Sequence, residues 1–292
     1  MKVVKTKFLW LASTATLLSC SCIIITLTHL SQSRSPWFTN DIGDRPAAAA
    51  HCDGRCPIPP LTSISQYNHY VNTVQARCHN WAQMGGWLSA PEDGKKFVCL
   101  DKRFNIVPGN CVVLSFGINN EWSFEDDMDR LGCEVYAFDP TMGMDDHKRS
   151  PNVQFFKLGI SNFQGHRKIR NNMRKSDLDS YQSFPVDRYE NIVERLGLSG
   201  RPIDYVKLDV ELSELDFLQD ILNNSPHLLH NIKQLAMEVH HDLDKGKLDP
   251  TSTLQIFWPY YHQLACHGFK IIFSRFAPGS WREVVWANED SW

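Results

Sequence analysis

Apolar and polar positions alternate in a regular way along most of the chain, and the clearest repeat lies between residues 111 and 140. Two short runs rich in β-branched and aromatic residues, 111–116 and 133–138, are bounded by turn residues, which predicts buried parallel strands. The segment between them presents one apolar helical face, formed by Phe124, Met128 and Leu131. Because Gly117 follows the first run and Asp139 the second, this stretch is typical of the opening βαβ unit of a Rossmann-like sheet.

The same periodicity extends the predicted sheet beyond this unit. Further strands are predicted at residues 153–158, 205–208 and 234–239, helices at 187–196, 213–222 and 251–267, and a closing antiparallel pair at 269–273 and 281–286. Upstream, aromatic spacing predicts a leading helix over residues 65–87 and a short edge strand at 97–100. The basic stretch 165–183 predicts a solvated loop. We therefore expect a Rossmann-like α/β domain over residues 65–292, with helices on both faces of its sheet.

The N-terminus has a different pattern. Three lysines, Lys2, Lys5 and Lys7, precede residues 8–30, which contain no Asp, Glu, Lys or Arg and are long enough to cross a bilayer as a helix. The basic flank predicts a cytoplasmic N-terminus, so residues 1–30 are expected to anchor a single-pass type II membrane protein of the Golgi or ER. A cleaved signal peptide is the alternative, and it would give a secreted protein. The proline-rich residues 31–64 predict a stem.

Composition and charge narrow the class of partner. A hydrophobic content of 42% is enough for a core, and a formal net charge of −3 gives no electrostatic argument for a nucleic-acid partner. Seven cysteines lie outside the apolar segment, and a lumenal location favours disulfides among them. Cys111 and Cys133 open neighbouring predicted strands, and we expect them to be buried thiols. No cysteine spacing matches a zinc pattern, so no metal ligand is predicted.

The turn at Gly117 indicates which nucleotide the predicted sheet would bind. A glycine lets the backbone pass close under a ligand, and Asp139, twenty-two residues later, is placed to accept hydrogen bonds from ribose hydroxyls. A dinucleotide fingerprint has three glycines, whereas this turn has one glycine and places Glu121 where a phosphate would lie. The acidic residues of this turn favour S-adenosylmethionine over a dinucleotide as the ligand, because the amino-acid end of S-adenosylmethionine is cationic. The alternative is an ordinary βαβ unit in which these acids only cap a helix.

Several motifs in the same order resemble a known family. They are the segments 115–124 (SFGINNEWSF), 135–140 (VYAFDP), 203–211 (IDYVKLDVE) and 235–240 (LAMEVH). Together they resemble the methyltransferase-like protein 24 group, which is related to the FkbM-type sugar O-methyltransferases. The resemblance implies a Rossmann-like methyltransferase sheet and an S-adenosylmethionine-dependent enzyme that methylates an oxygen of a glycan or small molecule. One departure is Leu212, which stands where the FkbM pattern has a glycine.

The candidate site residues divide into two sets. We assign Gly117, Asn119 and Glu121 to the methionine end of the cofactor, Asp139 to its ribose and Ser161 to the vicinity of its adenine. Three further residues close predicted strands at the same edge and are candidates for acceptor binding or proton transfer, namely Asp209, Glu238 and His240. If the acceptor hydroxyl needs a base, the imidazole of His240, with a pKa of about 6.5, could take its proton. The alternative is that His240 and His241 are a surface histidine pair at a strand end. Strand alternation predicts that His241 points away.

Two other functions remain open at this point. The D-x-D patterns at residues 177–179 and 242–244 are also found in lumenal glycosyltransferases, which hold a metal and a sugar nucleotide. Leu212 raises a different alternative, a binding module that keeps the methyltransferase fold without its chemistry.

Overall fold

The structure, a computed structural model, describes residues 57–86, 94–170, 181–211, 213–240, 250–276 and 281–292. The predicted anchor, most of the predicted stem, Leu212, His241 and both D-x-D patterns lie outside these residues. Within the part that is described, no helix is long and apolar enough to cross a membrane. The last residues of the predicted stem pack on the domain, where the carbonyl of Pro59 accepts a 2.6 Å hydrogen bond from the indole of Trp258.

The helices and strands follow one another in mixed α/β order. The helices are α1 (Ile64–Asn72), α2 (Ser123–Arg130), α3 (Tyr189–Arg195), α4 (Glu214–Asn223) and α5 (Pro250–Cys266). The strands are β1 (Trp81–Met84), β2 (Lys96–Cys99), β3 (Val112–Phe116), β4 (Glu134–Phe138), β5 (His147–Lys148), β6 (Val153–Phe156), β7 (Gly159–Ile160), β8 (Gly165–Arg170), β9 (Tyr181–Asp187), β10 (Tyr205–Leu208), β11 (Gln234–His240), β12 (Phe269–Phe276) and β13 (Trp281–Asn288). Short 3₁₀ turns occupy Lys102–Phe104 and Pro226–Asn231.

The central sheet has eight strands in the order β12-β13-β11-β10-β3-β4-β6-β5. Its five middle strands, β11, β10, β3, β4 and β6, run parallel, and β13 and β12 close one side as an antiparallel pair. The chain moves from β3 to one side through β4 and β6, and then returns to the other side through β10 and β11. The carboxyl ends of β3 and β10 therefore flank the topological switch point, where open α/β sheets bind ligands. The α/β class predicted from the sequence is confirmed.

Both faces of the sheet are buried, but different elements cover them. Alternate side chains of β3 point to opposite faces: Leu114 and Phe116 join one apolar cluster with α1, α3, α4 and α5. Val113 joins a second cluster with α2 and the β1–β2 hairpin. Because the parallel strands are apolar on both sides, they read in the sequence as continuous hydrophobic runs.

The leading helix is shorter than the sequence predicts. It ends at Asn72, and Trp81–Met84 is instead strand β1, which pairs with β2 in an antiparallel two-stranded sheet. The aromatic rings that suggested a helical face serve this hairpin: Trp81 stacks on Phe97 with ring centroids 5.1 Å apart, and Phe97 stacks on Phe273 at 4.6 Å. Tertiary packing against the main sheet thus overrides the helical spacing.

Two further predictions need correction. The stretch 165–183 is not simply a solvated loop, because β8 and β9 pair as antiparallel strands on either side of residues 171–180, which are outside the described part. Cys111 and Cys133 are not free thiols but form a disulfide with Cα atoms 4.5 Å apart. They immediately precede the neighbouring parallel strands β3 and β4, so the register of the sheet brings them together. A second disulfide joins Cys78 and Cys99, and Cys266 is also disulfide-bonded.

Candidate functional site

The turn after β3 brings two loops into backbone contact at the switch point. Gly117 has a φ of +83°, which L-residues with side chains rarely adopt. A Cβ atom on Gly117 would lie 1.7 Å from the backbone oxygen of Asp209, which follows β10. The amide of Gly117 donates to the carbonyl of Phe138, and its own carbonyl accepts from the ammonium of Lys207. Only glycine fits this position. The sequence predicts a close approach to a ligand here, and the close neighbour in the structure is the backbone of Asp209.

Asp139 holds the shape of this turn. One carboxylate oxygen accepts from the amides of Ile118 and Asn119, both at 2.9 Å. The other accepts from the amide of Thr141 at 2.8 Å and from its hydroxyl at 2.7 Å. These four bonds use the four acceptor positions that a carboxylate offers. Asp139 therefore lies where the sequence puts it, beside the Gly117 turn, but a ribose would have to take over some of these bonds.

Asn119 and Glu121 complete the turn that enters α2. Asn119 has a φ of +47°, a left-handed conformation that asparagine tolerates better than most residues. Glu121 accepts hydrogen bonds from the amide and the hydroxyl of Ser123, at 3.3 and 2.8 Å. A Cβ atom on Gly94 would lie 2.2 Å from Glu121 Oε2, so the chain before β2 passes directly over this carboxylate. The position predicted for the methionine end of the cofactor is therefore bordered in part by residues outside the segment 115–124.

A second group of polar side chains lies at the carboxyl edge of β10 and β11. Asp209, Glu238 and His240 each present a carboxylate oxygen or ring nitrogen, and these atoms all lie within 4.8 Å of one another. His240 Nδ1 is hydrogen-bonded to Glu214 Oε1 at 2.8 Å, while Nε2 lies 3.7 Å from Glu238 Oε1 and 3.6 Å from Glu211 Oε2. The structure therefore brings together the three residues that the sequence proposes for acceptor chemistry.

A buried ammonium group lies among these acids. Lys96 is 1% exposed, and its Nζ lies 3.1 Å from Glu238 Oε2, 3.7 Å from Asp209 Oδ2 and 4.0 Å from Glu283 Oε2. Glu283 also pairs with Arg275 at 3.0 Å. Lys96 comes from β2, so the β1–β2 hairpin contributes directly to this edge of the main sheet.

Comparisons with known proteins assign the chain to a family. The model of a family described as "Methyltransferase domain" matches residues 46–275. The chain belongs to this family.

Two curated relatives refine the assignment of the methyltransferase domain. "Probable methyltransferase-like protein 24" of Homo sapiens is 26% identical over 181 residues, which is 60% of this chain and 46% of the human protein. The Rattus norvegicus protein of that name is 26% identical over 185 residues, 60% of this chain and 47% of its own length. The resemblance to the methyltransferase-like protein 24 group is confirmed, although the chain spans only about half the length of these relatives.

Among solved structures, a mutant of the 16S rRNA (adenine(1408)-N(1))-methyltransferase from Catenulisporales acidiphilia aligns with a TM-score of 0.34. The two sequences are 12% identical, and the alignment covers 67% of this chain and 94% of the other.

Asp209 and Glu238 form a carboxyl pair in this methyltransferase domain, and their pKa values are shifted in opposite directions. Burial raises the pKa of Glu238 to about 7, assisted by the charge of Asp209 and opposed by Lys96. Burial also favours the neutral form of Asp209, but the ammonium groups of Lys96 and Lys207 outweigh it and hold the pKa of Asp209 below its usual value. Two neighbouring carboxyl groups with pKa values driven apart are the usual sign of an acid–base pair. Glu238 is the member that changes protonation near neutral pH.

His240 differs from the base expected from the sequence. Burial lowers its pKa, but the hydrogen bond and charge of Glu214, with the charges of Glu211 and Asp209, outweigh this and raise the pKa to about 9. At neutral pH both ring nitrogens of His240 therefore carry a proton, and the cationic ring is a poor proton acceptor. The unshifted value of about 6.5 does not apply to this residue.

Ser161 belongs to a separate network. Its hydroxyl accepts a hydrogen bond from Arg167 at 3.0 Å and donates one to Asp216 at 3.4 Å. Arg167 also forms an ion pair with Asp216 and donates a hydrogen bond to the hydroxyl of Ser213 at 2.9 Å. Ser161 is fully buried, and none of its hydrogen bonds among the described residues reaches the Gly117 turn or the carboxyl pair. The structure therefore does not join it to the other predicted site residues.

Sequence reasoning missed three residues of the site. Lys207 is the lysine of the segment 203–211 and could have been found from that motif, because a charged residue inside an apolar strand needs a buried partner. Glu214 is predicted from the sequence only as part of the helix at 213–222, although it follows the motif closely. Lys96 gave no signal, since it stands in a polar stretch, Gly94-Lys95-Lys96, and reaches the site only through the hairpin.

Proposed function

We propose that this protein is an S-adenosylmethionine-dependent methyltransferase that acts on a hydroxyl oxygen of a glycan or small molecule. One observation carries the proposal: at the switch point, the Gly117 turn lies directly against Asp209, beside the carboxyl pair of Asp209 and Glu238. A cofactor lying on this turn has its reactive centre next to groups suited to an acceptor hydroxyl. Membership in the methyltransferase family supports the same reaction.

The charge of the crevice supports a cationic cofactor. Glu121 closes the start of α2, where a dinucleotide site would hold a pyrophosphate, and Asp139 and Asp209 flank the turn. These acids repel phosphates and attract the sulfonium and ammonium groups of S-adenosylmethionine. We assign the methionine end to Gly117, Asn119 and Glu121, and the ribose to Asp139. The assignment of Ser161 to the adenine has no support from its contacts.

The reaction is an in-line displacement in which the acceptor oxygen bonds to the methyl carbon as the carbon–sulfur bond breaks. The products are the methylated acceptor, S-adenosylhomocysteine and one proton. Alignment and exclusion of water provide most of the catalysis. We assign the proton to Glu238, which is poised near neutral pH, with Asp209 as its partner. The protonated ring of His240 then serves to bind the acceptor oxygen.

A secretory location remains part of the proposal. The disulfides Cys78–Cys99 and Cys111–Cys133 support an oxidising compartment, since such bonds are rare in reducing ones. Residues 1–30 would anchor the protein or direct its secretion. Protease protection of a C-terminal tag in intact microsomes tests this location, and digestion of the tag would place the domain in the cytosol.

Calorimetric titration tests the cofactor. We expect saturable one-to-one binding of S-adenosylmethionine and S-adenosylhomocysteine, and much weaker binding of NADH because Glu121 meets its phosphates. Binding of a sugar nucleotide with Mn²⁺ in place of S-adenosylmethionine would favour a glycosyltransferase. Binding of S-adenosylmethionine without transfer to any acceptor in a hydroxyl-compound panel would favour a non-catalytic module.

A further inference from the structure

Asp209, Glu238 and His240 form a group that is typical of a metal site, yet a cation already lies there. Two carboxylates and an imidazole within 4.8 Å of one another are a donor set that divalent metals accept. The ammonium of Lys96 is 3.1 Å from Glu238 Oε2 and 3.7 Å from Asp209 Oδ2, and it is sealed from solvent. We propose that Lys96 is a positioning residue. Its ammonium takes the place of a metal ion and holds the carboxyl groups of Asp209 and Glu238 in position beside each other.

The oxygen atoms of Glu238 are divided in a way that fits this role. Oε2 receives the hydrogen bond from Lys96, whereas Oε1 faces His240 Nε2 at 3.7 Å. Asp209 likewise turns its Oδ2 toward Lys96. An ammonium has three N–H donors, and three carboxylates, those of Glu238, Asp209 and Glu283, surround this one. Lys96 thus contacts Oε2 of Glu238 and leaves Oε1 facing His240.

Removing this cation would change the charge state of the pair. Burial alone would lower the pKa of Lys96, but Glu283, Asp209 and Glu238 outweigh it and keep the group charged. Without the ammonium, Asp209 and Glu238 would be like charges in close contact, and one of them would retain a proton. A divalent cation is the other means of relieving that repulsion.

The hairpin that carries Lys96 is firmly attached to the main sheet. The side-chain amide of Gln234 bonds both the amide and the carbonyl of Cys99, at 2.8 and 2.7 Å, and the hydroxyl of Tyr205 donates to the carbonyl of Phe97 at 2.8 Å. The Cys78–Cys99 disulfide also joins the end of β2 to the segment just before β1, which closes the hairpin covalently. The backbone of β2 is therefore fixed by contacts other than those of Lys96, so substitution of this side chain should leave the strand in place.

The test measures cation binding to the purified full chain without S-adenosylmethionine. The inference rests on the proposed function only for the reaction that the carboxyl pair serves. Mn²⁺ binding therefore tests the role of Lys96 even if the protein does not transfer methyl groups, and methyl transfer can be tested even if Lys96 has no such role. We expect wild-type protein to show no saturable Mn²⁺ binding below about 1 mM by calorimetry or electron paramagnetic resonance. Lys96→Met should gain one Mn²⁺ site that is at least about tenfold tighter. Lys96→Arg, which retains the charge, should behave as wild type.

Two controls fix the location of the gained site. Adding Glu238→Gln to Lys96→Met should remove it, and Lys95→Met, which deletes the adjacent lysine, should not create it. Lys96→Gln replaces Lys96→Met if circular dichroism shows that the methionine variant is unfolded. The inference is overturned if wild-type protein binds Mn²⁺ as tightly as Lys96→Met through Glu238, or if folded Lys96→Met and Lys96→Gln both fail to gain a site.

Discussion

The Gly117 turn and the carboxyl pair lie side by side at the switch point, but they are built in different ways. The turn is mostly local: its glycine, its amides and Asp139 lie within one βαβ unit, and the carboxylate of Asp139 accepts the hydrogen bonds of two of its amides. From outside the unit, the backbone of Asp209 and the ammonium of Lys207 contact Gly117. The carboxyl pair combines Asp209, which follows β10, with Glu238 of β11, and the charges of Lys96 from β2 and Glu283 from β13 lie against it. Backbone geometry therefore shapes the proposed cofactor side, whereas ionised side chains set the proton affinity on the proposed acceptor side.

If the two regions have separate tasks, Glu238→Gln should separate binding from turnover. The amide cannot accept the acceptor proton, so we expect kcat to fall by roughly 10²–10⁴-fold while S-adenosylmethionine affinity stays near wild type. Steady-state kinetics with an acceptor from the panel and calorimetry measure the two quantities. Asp145→Asn, at a side chain 94% exposed, is the inert control. Full turnover in folded Glu238→Gln would leave alignment alone to drive the transfer.

Gly117→Ala tests whether backbone contact makes the turn. The added Cβ would collide with the backbone oxygen of Asp209, so we expect a loss of about 3 kcal/mol or more in unfolding free energy, together with loss of cofactor binding. Gly143 is a matched control, because its φ of +70° is similar but nothing lies within 4 Å of its added Cβ. Gly143→Ala should cost only about 1 kcal/mol, the conformational part. Equal losses in chemical denaturation would mean that contact with Asp209 is unimportant.

Asp139→Ala tests the link between the turn and the ribose. It removes the acceptor for two turn amides as well as the proposed ribose contact, so affinity for S-adenosylmethionine should fall about ten- to hundredfold. S-adenosylhomocysteine should weaken equally, because it carries the same ribose. Thr141→Val removes one of the four hydrogen bonds without touching the turn amides, and calorimetry should show little change. An unchanged dissociation constant in Asp139→Ala would exclude a ribose role.

The two regions also differ in how far sequence predicts them. The strands β3, β4, β10 and β11, the turn at Gly117 and the position of Asp139 follow from local patterns, because each depends on neighbours in the same βαβ unit or on strand ends. The contact of Gly117 with the backbone of Asp209 does not, because Asp209 lies far along the chain. The hairpin that replaces the second half of the leading helix depends on packing against Phe273, far along the chain. For the same reason Lys96 could not be predicted. The raised pKa of His240 likewise depends on Glu214 and Glu211, which the fold brings to it.

The smallest expected effect is on the pH profile, and it distinguishes the two candidate bases. If Glu238 must be ionised, kcat should rise about tenfold per pH unit below an apparent pKa of about 7 and level off above it. If the proton on His240 is needed to bind the acceptor, the rate should fall again above about 9.

His240→Gln sharpens this profile. Since the charge of His240 lowers the pKa of Glu238, its removal should move the acidic limb to higher pH and abolish the alkaline limb. Kinetics between pH 5.5 and 9.5 measure both limbs in the two proteins. An acidic limb near 6.5 that disappears in His240→Gln would instead make the imidazole the base. In that case the hydrogen bond from His240 to Glu214 would have to open when the acceptor binds, because that bond is what keeps the ring protonated.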